Sequence, residues 1–114
     1  MTNVPDSGQE IVEYLRAQEA QAVPGFAAQV LEVFLRDMAM RLNVLHEAIG
    51  RRDAEATYRV AHTMKGSAGS IGARSLAQSC AELASAGRSG SFDRCEELAR
   101  DVEAGFRSIQ GLSA

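Results

Sequence analysis

Aromatic side chains are scarce in this chain. There is no Trp, only two Tyr and four Phe, in 114 residues. Segments rich in Val, Ile, Thr and aromatics, the composition that strands favour, are missing, while Ala is abundant. That excludes a β architecture and favours helices packed closely through small side chains. Cysteine is nearly absent too. Cys80 and Cys95 are too few for a disulfide framework, and both fall on apolar helical stripes, so they read as reduced core thiols of a cytoplasmic protein. Basic charge is limited: a net charge of −3 and a pI near 5.3 argue against nucleic acid as a partner. The one adjacent basic pair, Arg51-Arg52, reads as a solvated turn. No apolar run approaches the roughly 18 residues a membrane span needs, and Met1 to Gly8 has no apolar signal-peptide core. What is present, 46% hydrophobic residues, is enough for one domain with a single core.

The apolar pattern predicts five helices. Residues Met1 to Asp6 read as a flexible tail, and residues 7–114 as one domain. Ser7 and Glu10 have capping-box spacing before a short first helix with Ile11, Tyr14, Leu15 and Ala22 on its apolar side, ending before Val23-Pro24-Gly25. Ala27, Val30, Phe34, Met38, Leu42, Leu45 and Ile49 form one stripe along a long second helix, for which Gly50 is the expected left-handed stop. Asp53 is placed to cap a third helix from Ala54 to Ser70. After a break at Ile71-Gly72, a fourth helix carries Leu76, Cys80 and Leu83 and ends near Gly87 to Gly90. A fifth opens at Ser91 or Phe92 and carries Cys95, Leu98, Val102, Phe106 and Ile109. Short connections between long amphipathic helices predict an all-α, antiparallel up-down four-helix bundle, with the short first helix as an addition at one end.

The third helix holds the chemistry. Val60, Ala61, Met64, Ala68 and Ile71 fall on its core side, with Thr57, whose hydroxyl is expected to bond back to the preceding turn. At about 100° per residue, His62 points almost the opposite way, beside Glu55, Tyr58, Lys65, Gly66 and Gly69. An exposed imidazole of ordinary pKa, about 6.5, is largely neutral at cytosolic pH and therefore nucleophilic. Lys65 can set an ammonium beside whatever the ring carries. Gly66 and Gly69 each cost a helix interior about 1 kcal/mol relative to Ala, and together they leave a bare patch over which another protein can press. Physics alone leaves a second reading open: a surface histidine beside a poorly formed helix end that precedes the Ile71-Gly72 break.

The run Ala61-His62-Thr63-Met64-Lys65-Gly66-Ser67-Ala68, followed by Gly72, Leu76 and Cys80-Ala81-Glu82-Leu83, resembles the signature of the histidine-containing phosphotransfer family. Phe34-Leu35-Arg36-Asp37 and Arg52-Asp53-Ala54 resemble that family's second helix and the start of its third. The resemblance spans roughly Val30 to Arg88. It implies that His62 is the phosphoacceptor, that Lys65 stabilises the phosphoryl oxygens and that Gly66 keeps the approach clear. Ser67 becomes a secondary contact, and Arg88 matches a basic position that lies close to the histidine in some members. One departure stands out. Many members carry Glu or Gln after the leucine that matches Leu83, and some use it to orient the imidazole; this chain has Ala84.

The resemblance further implies a covalent carrier without kinase activity of its own. Receiver domains of response regulators and hybrid sensor kinases are the expected partners, with Ser67 and Arg88 among the contacts. Exposed apolar or small residues around the histidine, Tyr58, Gly66, Gly69 and Ala84, read as the docking patch, with helix packing as the equal alternative for Ala84. Mg²⁺ is expected on the receiver, with no cofactor or metal on this chain, and the expected state is a cytoplasmic monomer. Leu35, off the main stripe, is expected either to join the docking patch or to lie under the first helix. The chain reads as a stand-alone protein, with excision from a larger hybrid kinase as the alternative. A metal site is disfavoured because neither His46 nor His62 has a second ligand at chelating spacing, and His46 reads as a solvated flank. The Gly66, Gly69 and Gly72 series is not a nucleotide loop, and neither Ser67 nor Ser70 has an assignable base for hydrolysis. The competing function is a helical adaptor that binds a signalling partner without chemistry.

Overall fold

The apolar stripe that begins near Ala27 winds into a single long helix, α1 (Phe26–Gly50). Leu31, Phe34, Met38, Leu42, Leu45 and Ile49 are its buried side. In this computed structural model the described residues are Glu10, Ile11, Glu13, Tyr14 and residues 25–113. Three further helices follow: α2 (Ala54–Ser70), α3 (Arg74–Arg88) and α4 (Phe92–Gln110), closed by a 3₁₀ turn at Gly111–Ser113. They are the predicted second to fifth helices, and no strand occurs among the described residues. Each helix packs on the next, and α4 returns to α1, so the four close an up-down bundle around one core. Cys80 and Cys95 are free and buried inside it.

The α1–α2 connection corrects one expectation. Gly50 is still helical, and the left-handed residue is Arg52, at φ 55°. The strained backbone is held by what surrounds it. The Arg52 amide donates to the Ile49 carbonyl, and the Asp53 amide to that of Ala48. The Arg52 guanidinium donates to the same Ile49 carbonyl at 2.9 Å, pairs with Glu96 at 3.1 Å and lies over the Phe92 ring. Arg52 therefore ties the end of α1 to α4, a role beyond that of a solvated turn. One residue later the Asp53 carboxylate accepts from the Ala56 amide at 3.0 Å, as the N-cap expected for α2.

α2 ends where predicted, and Gly72 takes φ 80°. A side chain there would collide with Tyr14, because a Cβ at Gly72 falls 2.4 Å from that of Tyr14. Ala73, before α3, offers no capping side chain. The Glu10 carboxylate fills that role instead, accepting from the Ser75 amide at 3.0 Å and from its hydroxyl at 3.1 Å. Glu10, expected in a local capping box with Ser7, thus caps a helix 65 positions away in sequence. Glu10, Ile11, Glu13 and Tyr14 are helical and Ile11 is buried in the core. The rest of the expected first helix, the Ser7 cap, the Val23-Pro24 stop and the 1–6 tail lie outside the described residues. Leu35 is half-buried against the core.

Candidate functional site

The core stripe of α2 decides what its other side shows. Thr57, Val60, Ala61, Met64 and Ala68 are buried, which turns His62, Lys65, Gly66 and Gly69 outward as exposed residues. The helix continues without interruption through both glycines to Ser70. That disposes of the poorly formed helix end as an explanation for them. A Cβ built at Gly66 or at Gly69 meets nothing within 4 Å, so no internal packing requires either glycine. Their effect is on the outside: the surface beside the imidazole is flat and bare. Lys65 makes no hydrogen bond or ion pair among the described residues, and its ammonium is uncommitted.

The imidazole is stacked against a ring on its own helix. Tyr58, one turn earlier, stacks on His62 with centroids 5.5 Å apart and planes inclined by 20°. From the last turn of α3, the Arg88 guanidinium carbon lies 3.9 Å from the centre of the Tyr58 ring. Arg88 can reach it because α3 presses against α2 at Gly87. A Cβ there would stand 2.8 Å from the Thr57 methyl and 3.3 Å from the Tyr58 amide nitrogen. From sequence Gly87 reads only as part of a helix end and Tyr58 only as docking surface. The spacing of four between Tyr58 and His62 signalled their adjacency, but nothing in the sequence signalled the stack.

Other expected members are placed differently. Ser67 is half-buried and, with Ser70 and Ile71, faces Val30, Val33 and Phe34 of α1 across a groove of about 440 Å³. Ala84, with 5% exposure, is in the core, which decides its two readings for helix packing and against docking. No carboxamide or carboxylate from this position reaches His62. The Thr57 hydroxyl is buried without a hydrogen-bond partner, against the expectation of a bond to the preceding turn. The thiols are unsuited to nucleophilic work, since burial pushes Cys80 from its ordinary 9.0 up to about 12 and also raises Cys95. His46 is an exposed flank, 3.3 Å from Glu103. Among the described residues no three His, Cys, Asp or Glu side chains gather as a metal site, and no helix is long and apolar enough to cross a membrane.

The four-helix bundle thus presents, on one face of α2, an exposed imidazole, an ammonium one turn on and two glycines with open space above them. In comparison with known families, the Hpt domain model matches residues 29–111, and the chain belongs to that family. Its members are phosphocarriers of phosphorelays, of the two-component type, and not kinases. Among solved structures, the chain is similar to histidine-containing phosphotransfer protein B from Pseudomonas aeruginosa. The TM-score is 0.81 at 30% identity, over 89% of this chain and 87% of that one. Comparison with curated proteins gave no match.

Proposed function

We propose that His62 is the phosphoacceptor, taking a phosphoryl group from the phospho-aspartate of one receiver domain and passing it to another. The observation that carries this reading is the exposed imidazole midway along an unbroken helix, flanked by two glycines that no packing demands. The solvent-facing ring nitrogen attacks phosphorus in line with the aspartyl oxygen. The N–P bond forms as the P–O bond breaks, and the carboxylate leaves with the electron pair. Positioning and charge compensation supply most of the help in such a transfer. Lys65 offsets charge on the phosphoryl oxygens, and Gly66 and Gly69 let the receiver approach. Gly69, Arg88 and Ser67 make up the docking surface. In this reading Mg²⁺ is held by the receiver's acidic pocket, and this chain, a cytoplasmic monomer, neither binds nor uses ATP.

The reading is tested by mixing the purified protein with a phosphorylated receiver and assaying for acid-labile, base-stable label. Wild type is expected to acquire it and His62→Gln to remain unlabelled, with no label in either from ATP alone. Equal labelling of the two proteins would overturn the assignment.

A further inference from the structure

We propose that Tyr58 is the positioning residue for the phosphoacceptor, holding the His62 imidazole by its ring face where Ala84 leaves no polar partner to do so. This inference rests on the reading of His62 as the phosphoacceptor. An imidazole on an exposed helix face turns freely about χ1 and χ2 unless something restrains it, and no hydrogen bond to the His62 ring exists among the described residues. Among the described residues the one ring stacked against it is Tyr58, at 5.5 Å and 20°, a geometry in which the two planes constrain one another. Tyr58 is itself held. It is half-buried against the core, and Arg88 covers its ring at 3.9 Å. Gly87 lets the backbone that carries Arg88 come this close.

A face-on restraint differs in kind from a hydrogen bond to a ring nitrogen. It fixes the plane of the imidazole while leaving both nitrogens free of a protein partner, so orientation does not depend on which of them carries the proton. This restraint belongs to the aromatic face of Tyr58 and does not need its hydroxyl. Phe should therefore replace Tyr58, whereas an aliphatic side chain of similar bulk should not.

The experiment compares Tyr58→Phe and Tyr58→Leu with wild type in two measurements. The first is NMR of the His62 ring protons in the unphosphorylated protein. The second is single-turnover transfer from a phosphorylated receiver as a function of receiver concentration. Tyr58→Leu is expected to move the His62 ring resonances towards those of a free imidazole. It should also lower the saturating transfer rate on the order of tenfold, as expected for a loosened reacting group, with the half-saturating concentration unchanged. Tyr58→Phe is expected to keep both. Tyr58→Met repeats the aliphatic comparison should Leu disturb the fold in a circular-dichroism melt. Unmoved ring resonances in the aliphatic variants would overturn the proposal. So would an unchanged saturating rate, a loss confined to half-saturation, or a Phe variant as impaired as Leu. If wild type accepts no phosphoryl group at all, the reading of His62 fails, while the ring resonances still report whether Tyr58 holds the imidazole.

Discussion

At the scale of single residues, the glycines on α2 and the glycine on α3 are opposites. Gly87 is demanded by its neighbours, while Gly66 and Gly69 are demanded by none. Replacing Gly66 with Ala should therefore stabilise the bundle by up to about 1 kcal/mol, the usual helix-interior difference, measured by urea denaturation. A bulky side chain is a different matter: Gly66→Phe should fold like wild type and yet lose most transfer from a receiver. Unimpaired transfer would remove Gly66 from its clearing role. Lys65→Ala should slow transfer or shorten the lifetime of the phosphohistidine without altering the melt, because Lys65 holds nothing else in place. Unchanged kinetics and lifetime would remove it from the site. The histidine, lysine and glycines were legible in the sequence because helical phase alone puts them on one face. The stack of Tyr58 on His62 was not, since spacing sets adjacency and says nothing of the angle between rings.

At the scale of elements, the seam between α2 and α3 is where packing exceeds what periodicity reveals. Gly87→Ala would drive a methyl to 2.8 Å from that of Thr57, inside a closely packed interface. Overpacking of this kind costs about 1–3 kcal/mol, and the variant should lose that much in denaturation while also displacing Arg88 from Tyr58. Thr57→Val should go the other way. It keeps the shape and removes a hydroxyl that is buried without a partner, so it should gain about 1 kcal/mol. A loss instead would mean that the hydroxyl has a partner, such as a bound water. The extent of α2 was legible, from the Asp53 cap to Ser70, because a capping carboxylate and an apolar stripe are both local signals. The Arg52 turn and the Glu10 cap on α3 were not. In each case the stabilising partner comes from another helix, Glu96 and Phe92 in one and Ser75 in the other. Glu10→Ala should cost about 1 kcal/mol, as loss of an N-cap does, read from the same denaturation curves.

At the scale of the whole molecule, one bundle with a single core presents the His62 imidazole on an exposed helix face. Four amphipathic stripes specified the class of fold, since short connections between long helices leave few alternatives to an up-down bundle. The buried Cys80 adds a pH dependence. Its folded pKa, about 12, lies above the ordinary 9.0, so above pH 9 the unfolded chain releases the thiol proton while the folded chain retains it. Stability should be full below pH 9 and fall as the pH rises towards 12. Membership of the Hpt family makes the protein a phosphocarrier, and the geometry of α2 nominates His62 as the carrying atom's residue. The most direct test is peptide-level mass spectrometry of the protein after exposure to a phosphorylated receiver, performed under alkaline conditions that preserve phosphohistidine. The account expects one phosphoryl group, on the peptide containing His62 and at that residue. A receiver that binds the protein and leaves it unmodified, or a phosphoryl group on any other residue, would contradict it.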